Sequence, residues 1–555
     1  MSTKIKESGD IRFKAYAQDI LIDLPVRIEE LVKDNVLAQI INKVVEGIAI
    51  KDLECYYSGI GRPPYHPRML IKVWIYAYCT KVYTSRPLAK KLRQDLVFMW
   101  LAGGQRPCFK TLSEFRSCRM QDLVDAVLSQ VLLYLVEQGY VDLSDLYVDG
   151  SKWSANANKH KIIWRKNTER YKGGVLDRIS DLLEEARQLQ QHEDSTYGSK
   201  DLAEHQSEEQ IQVVLSSKDL EDQLYELNKV IEEQVENKSK RSLQRVHRHL
   251  SKEQVKLDKY EKQQSVLDGR NSYSKTDEDA TALRMKDDQL LPGYNVQITT
   301  SDQFIINATI HQNASDSPTL PPHVQQLEHR VDKIVDSDWR MDYTADAGYG
   351  SEENYTFLAN KGHTAYVKYP LWYREVTGKL EKQIFNSYNW YYDPEQDYYQ
   401  CPNDKKLLFK EQITKTTGNG YDRLIRIYES EDCADCPLFE QCRSSRAQPG
   451  SNRKVWRSEK LELFKKEVKQ RLATEKGLDK RSQRSVDVET PFANIKHNMA
   501  HRRFILRGID KVNIEFQFLA IAHNLKKVYC DQTGIWEDYY AQRAARCTSK
   551  RKKRA

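Results

Sequence analysis

The sequence predicts an α/β fold, a mixed sheet covered by helices, preceded by a helical leader and interrupted by one helical and one β-rich insertion. Three observations carry this. After residue 145, short apolar runs of strand length alternate with helical patterns, the order expected of a mixed sheet with helices on its faces. Residues 165–265 are highly charged and repeat apolar residues at spacings of four and three, as long packed helices do. Residues 372–445 are aromatic and irregular, with YNWYYDPEQDYYQCP the extreme case.

Residues 1–140 form the leader. Pro67–Lys81 is an apolar helix pattern behind a Pro-rich entry, Pro87 opens another helix, and Gly103-Gly104 closes it. Thr111 and Glu114 are spaced as a capping box, and Leu123–Gly139 is amphipathic. Several short helices with basic faces suit a helix-turn-helix module for DNA binding or assembly, and equally a plain bundle. Residues 141–164 hold the first strand, LYVDGSKW, with Asp149 at its expected end.

The helical insertion spans 165–270. Val175, Ile179, Leu182, Ala186 and Leu189 make one heptad stretch, Leu220 to Ile231 a second and Leu243 to Tyr260 a third. They predict two or three long helices, packed on each other or paired with another chain. The sheet resumes over 271–371: a hairpin of Tyr294–Thr299 and Phe304–His311 turning near Asp302, a helix over Pro318–Val331, and a strand over Met341–Asp346. A helix N-capped by Ser351 and a strand over His363–Lys368 follow. The aromatic, Cys-containing insertion occupies 372–450, the final helical part 451–530 (helices over Arg457–Lys476 and Phe492–Lys527), and a basic tail 531–555.

A chain of 555 residues is too long for one core, so two to four structural units are expected. No run approaches 18 apolar residues, which excludes a transmembrane helix, and the polar Met1–Asp10 lacks the apolar core of a signal peptide. A cytoplasmic location is the expectation. Lys and Arg number 87 against 80 Asp and Glu, a balance too even to diagnose nucleic acid by itself. Local charge says more: residues 539–555, with Arg543, Arg546, Lys550 and the RKKR that follows, hold no acid and would be drawn to phosphates, a solvated tail being the alternative. Ten cysteines in this length do not suggest a disulfide scaffold, and single ones such as Cys79 read as buried thiols.

Three acids stand out by position: Asp149 before Gly150 at a strand end, Asp346 before AGYGS at another, and Glu489 at a helix entrance in VETPFANIK, with Asp487 as the substitute third acid. Phosphodiester chemistry uses two hard cations roughly 3.5–4 Å apart. Carboxylates suit Mg²⁺ or Mn²⁺, and few protein ligands are needed because water and phosphate complete the shell. Each acid alone is more often a turn or cap residue. Asp277 and Asp279 read as loop caps near the second strand, and Asp316 in NASDSP as a helix N-cap.

The phrases YVDGSKWSANANK, YNVQITT with the later NASDSPTL, ADAGYGSEEN and VETPFANIKHNMAHRRFILRGIDKVNIEFQFLAIAHNLKK resemble those of bacterial insertion-sequence DDE transposases, most closely the branch catalogued as insertion sequence eleven-eighty-two. YHPRMLIKVWIYAYCTKVYTSRPLAKKL is similar to the helical leader of that group. The resemblance implies an RNase H-like catalytic domain assembled from 141–164, 271–371 and 451–530, with Asp149, Asp346 and Glu489 as the ligands of two Mg²⁺ or Mn²⁺ ions. It implies DNA cleavage at the element's terminal inverted repeats, strand transfer into double-stranded target DNA, and no membrane partner. Lys496, seven residues past Glu489, matches a DNA-holding lysine of related enzymes, whereas the Tyr and Arg those enzymes carry upstream fall on Ser482 and Ser485. Arg481 and Arg484 are close but out of register, and with His497, His501, Arg502, Arg503 and Arg507 they make a stretch expected to contact DNA.

Cys401, Cys433, Cys436 and Cys442 lie in the aromatic insertion as CP followed by CADCPLFEQC. Four thiolates with this spacing suit a structural Zn²⁺ and leave no open position for a catalytic one; reduced thiols in a β subdomain are the alternative. The insertion's tyrosines and Trp390 could stack on distorted bases or pack within it. The functional expectation is an active transposase acting as a homodimer on DNA. The alternatives are a transposase-derived DNA-binding protein without catalysis and a stand-alone RNase H-like nuclease.

Overall fold

The computed structural model describes residues 27–49, 63–197, 216–233, 237–332, 334–335, 339–434, 436–443 and 451–535. The basic residues from Arg543 onward lie outside these. The chain divides into two compact units, Met1–Trp153 with Asn295–Ala555, and Ser154–Tyr294.

The larger unit is built on β1 (Asp145–Ser154), β2 (Leu290–Ser301), β3 (Phe304–His311), β4 (Asp342–Ala345) and β5 (Thr364–Val367), in the order β3-β2-β1-β4-β5. β2 and β3 are antiparallel, while β4 is parallel to both β1 and β5, so the sheet is mixed. The hairpin turns on Asp302 and Gln303, both at positive φ (48° and 62°), the handedness that matches strand twist. β1 does not end at Asp149 as expected. It continues because Trp153 is fully buried among Phe492, Phe504 and Phe516 and holds the chain extended past Gly150.

Helices α1 (Val36–Glu46), α2 (Pro67–Cys79) and α3 (Met120–Glu137) come from the leader. The short helix Phe109–Glu114 starts after Cys108, which places Thr111 inside it and removes the expected capping box. α4 (Leu320–Val331) and α5 (Glu352–Asn360) follow, the latter capped by Ser351, whose side chain accepts from the Asn354 N–H. α6 (Glu459–Ala473), α7 (Glu475–Ala493) and α8 (Ile509–Gln532) complete the unit. α8 is buried on nearly every side and packs on β3, α1, α2 and α3. Phe518 of α8 stacks on Tyr78 of α2, so the leader helices share a core with the last helix instead of building their own.

α7 corrects two expectations. Glu489 lies in its last turn and not at a helix entrance, and a π-turn (Asn494–Asn498) with an irregular stretch to Gly508 interrupts the helix expected over Phe492–Lys527. The early start of α7 is electrostatic. α7 is held to the sheet by buried Lys480, which pairs with Asp145 and with Asp342 (3.0 Å), and by Lys476 on Asp342 (2.8 Å), contacts that leave no apolar period.

In the smaller unit, helices Arg165–Tyr197, Ser217–Glu233 and Asn237–Leu267 enclose one apolar seam that includes Val175, Ile179, Leu220, Leu227, Val246 and Leu250. The heptad residues therefore pack on one another within the chain. Asp277 is buried and accepts from the Tyr294 hydroxyl at 2.9 and 3.0 Å.

The aromatic insertion is β-rich. Strands β6 (Tyr391–Asp393), β7 (Tyr398–Gln400), β8 (Lys406–Thr416), β9 (Asp422–Ser430) and β10 (Lys454–Arg457) form an antiparallel sheet in the order β10-β9-β8-β7-β6. Its core is small: Trp390, Tyr399, Leu407, Tyr428 and Val455. Trp390 packs in that core and donates to Ile384 O at 2.9 Å, so it is not presented for stacking on bases.

Candidate active site

β1 and β4 are neighbours in parallel register, with Asp145 opposite Asp342, Leu146 opposite Tyr343 and Tyr147 opposite Thr344. The same register carried two residues further sets Asp149 against Asp346. Asp346 caps the turn that follows β4, its Oδ1 accepting from the Gly348 N–H at 2.8 Å. Asp149 is mostly buried and Asp346 is 44% exposed, so the pair opens to solvent on the Asp346 side.

One guanidinium joins them. Arg484 of α7 donates through Nη2 to Asp149 Oδ1 at 2.9 Å and stands 3.8 Å from Asp346 Oδ2. A third acid lies beside the pair and was misread from sequence. Asp316 makes no capping bond. Its Oδ1 accepts from Asn295 Nδ2 (2.7 Å) and Gln297 Nε2 (3.0 Å), two amides on one face of β2. Gln297 in turn accepts from the buried Tyr349 hydroxyl. Two amides spaced i, i+2 on a buried strand were the signal available, since buried amides need polar partners.

Electrostatics follows the geometry. Burial pushes the Asp149 carboxyl up to about 6; Arg484 and the Gly150 N–H pull the other way, and Asp346 and Asp316 add to the rise. A buried acid beside two other acids relies on the positive charge that Arg484 brings.

α7 runs along β1. Phe492 packs on Trp153 with ring centroids 5.8 Å apart, and past the helix Lys496 donates to Ser151 Oγ (2.7 Å) and Lys152 O (3.3 Å), its ammonium 4.1 Å from the Trp153 ring centre. Glu489 lies between these anchors, exposed, with no hydrogen bond or ion pair to any described residue. Asp487, the substitute third acid, is buried and occupied: it accepts from the Gln303 N–H (2.6 Å) and Gln483 (3.2 Å). The structure thus brings Asp149 and Asp346 together and sets Glu489 on the adjoining helix. Among the described residues, no three His, Cys, Asp or Glu side chains are gathered closely enough to hold a metal ion as they stand.

A family model described as "Transposase DDE domain" matches residues 400–529, and one described as "Transposase domain (DUF772)" matches residues 26–118. Together the two matches indicate an insertion-sequence DDE transposase. No curated protein matches it. The first match takes in Glu489, Lys496 and the four insertion cysteines of the transposase; the second takes in α1 and α2. No described helix of the transposase is long and apolar enough to cross a membrane.

The basic stretch divides in two. Arg502, Arg503, Arg507 and His497 are exposed, with Arg502 bonded to His497 Nδ1 at 3.1 Å. His501 is not available to DNA: it is buried on Glu515 at 2.8 Å. Arg481 lies over the Trp372 ring at 4.8 Å and donates to Gly477 O.

The four cysteines face one cavity, without three of them being close enough to share a metal ion as they stand. Cys401 opens the β7–β8 turn, Cys433 and Cys436 follow β9, Cys442 ends the helix Phe439–Cys442, and all four line one small cavity with Trp390 and Arg453. All are free thiols. The Arg453 N–H donates to Cys433 Sγ at 3.4 Å, and burial, with the other three thiols nearby, pushes Cys442 up.

Proposed function

We propose that this transposase cuts the phosphodiester at the ends of its element and joins the freed 3′-hydroxyl to target DNA, with Asp149, Asp346 and Glu489 as the ligands of two Mg²⁺ or Mn²⁺ ions on an RNase H-like sheet. The observation that carries this is the pairing of Asp149 and Asp346 across neighbouring parallel strands, with the Glu489 helix anchored alongside. The donors fit: they are hard carboxylate oxygens, gathered around one shared arginine counter-charge. Bound cations would supply activation of the attacking oxygen and stabilisation of the leaving one. The chain's own share is positional. Lys496 and Ser151 fix the edge of β1, Asn295 and Gln297 hold Asp316 beside the pair, and the exposed Glu489 carboxylate is free to turn inward.

In this reading Arg481, Arg484, Lys496, Arg502 and Arg503 take DNA phosphates, with Arg502 and Arg503 already on the surface. Joining two element ends requires two active sites held together, so a homodimer forms on DNA. The helical seam is spent inside the chain and is not its basis. The test is strand cleavage of duplexes carrying the element's terminal repeats. Cutting in Mg²⁺ or Mn²⁺ that EDTA abolishes is expected; specific binding without cutting in any divalent metal would leave a non-catalytic DNA-binding protein.

Cys401, Cys433, Cys436 and Cys442 are read as ligands of a structural Zn²⁺. The fit rests on four free thiols around one cavity, a backbone N–H already directed at Cys433, and a sheet whose described apolar cluster is small. Purified protein is expected to carry about one zinc per chain by elemental analysis. Cys433→Ser/Cys436→Ser should lose it and become protease-sensitive within 372–450. Zinc-free protein of unchanged protease resistance sinks the reading.

A further inference from the structure

We propose that Arg484 is the resident counter-ion of Asp149 and Asp346 in the metal-free transposase, and that it gives up these carboxylates when divalent cations bind and turns to a DNA phosphate. The proposal rests on the reading of the two acids as metal ligands. Arg484 lies five residues before Glu489 on the same helix, and its guanidinium reaches both strand carboxylates, at 2.9 and 3.8 Å. Its side chain is only 14% exposed, yet Nε is buried without a hydrogen-bond partner. It is therefore held by charge, with part of its donor fork unused.

An arginine cannot shed its proton to make room for another cation. Arg484 and a divalent ion therefore compete for the same two carboxylates. The surroundings favour exchange over co-occupancy. Lys368, just past β5, stands close enough to Arg484, Arg481 and Asp346 for their charges to act on it, so a metal ion would enter a site that already holds positive charge. Once displaced, a planar fork of five N–H donors suits a phosphate, and the strand to be cut must lie at these same carboxylates. Arg484 would neutralise the acids while the site is empty and bind DNA once it is loaded.

The test is Mn²⁺ binding to the full chain without DNA, followed by electron paramagnetic resonance, for wild type, Arg484→Ala and Arg484→Gln. Loss of the competing charge should tighten Mn²⁺ binding by about tenfold or more in both variants. It should also enlarge the rise in melting temperature that Mn²⁺ produces. Arg484→Gln keeps N–H donors without the charge and reports the same competition if the Ala variant does not fold. A second reading uses a short non-specific duplex: Mn²⁺ should strengthen its binding to wild type more than to Arg484→Gln. Unchanged or weaker Mn²⁺ binding in the variants overturns the proposal, because Arg484 would then merely hold the carboxylates in place. The Asp149→Asn/Asp346→Asn double variant separates the two claims. If it still binds Mn²⁺ as wild type does, the ligand assignment itself fails. If it loses Mn²⁺ while the Arg484 variants match wild type, only the exchange fails.

Discussion

Asp149 works only with the residue after it. A Cβ on Gly150 would run into Gln297 Nε2 and lie 2.6 Å from Asp316 Oδ1, both held in place by hydrogen bonds. Gly150 is thus the gap through which β2 and Asp316 approach the acid pair. Gly150→Ala should cost on the order of 1–3 kcal/mol, read as a lower urea midpoint, and should cut cleavage more than DNA binding because it separates Asp316 from Asp149. An unchanged midpoint would mean that the close approach relaxes without cost. At this scale the sequence was partly legible. Asp149 and Asp346 are recognisable because each follows an apolar strand run and precedes glycine or Ala-Gly. Asp316 was not, because NASDSP has the form of a helix cap and its partners lie about twenty residues away.

Among the elements, those defined by an apolar period were legible and those held by charge were not. The β2–β3 hairpin and the three heptad helices follow from periodicity, and their apolar residues are the buried ones. α7 escaped because ion pairs on Asp145 and Asp342 anchor it. Its junction with α8 depends on His523, which is buried, bonded through Nε2 to Gln303 O at 2.9 Å and through Nδ1 to Asn494 at 2.8 Å. The carbonyl can only accept, so Nε2 carries the proton and Nδ1 is an acceptor. Burial lowers this histidine from 6.5 to about 4. Between those values the unfolded chain binds more protons than the folded one. The contribution of His523 is therefore complete above pH 6.5 and is lost as pH falls toward 4, by on the order of 3 kcal/mol. Urea midpoints at pH 7.5 and 4.5 should fall less in His523→Gln than in wild type; equal slopes would show that His523 is not a proton-linked contact.

For the molecule as a whole, the leader and α8 form one body with the sheet, which the sequence could not reveal because contacts such as Cys79 with Ala522 span 443 residues. The shared core ties the two matched regions together: the segment matched by the leader family packs directly on the end of the segment matched by the DDE family. Residues far apart in sequence thereby fix the sheet on which Asp149 and Asp346 meet. The central claim is that these two acids and Glu489 act as one metal-dependent centre. The most direct measurement is strand cleavage in Mg²⁺ by Asp149→Ala, Asp346→Ala and Glu489→Ala beside wild type, with DNA binding measured on the same preparations. The account predicts that each variant binds DNA at near wild-type affinity and cuts at least a thousandfold more slowly, on the order of 4 kcal/mol of lost transition-state stabilisation. Full cleavage by any one of them would contradict it.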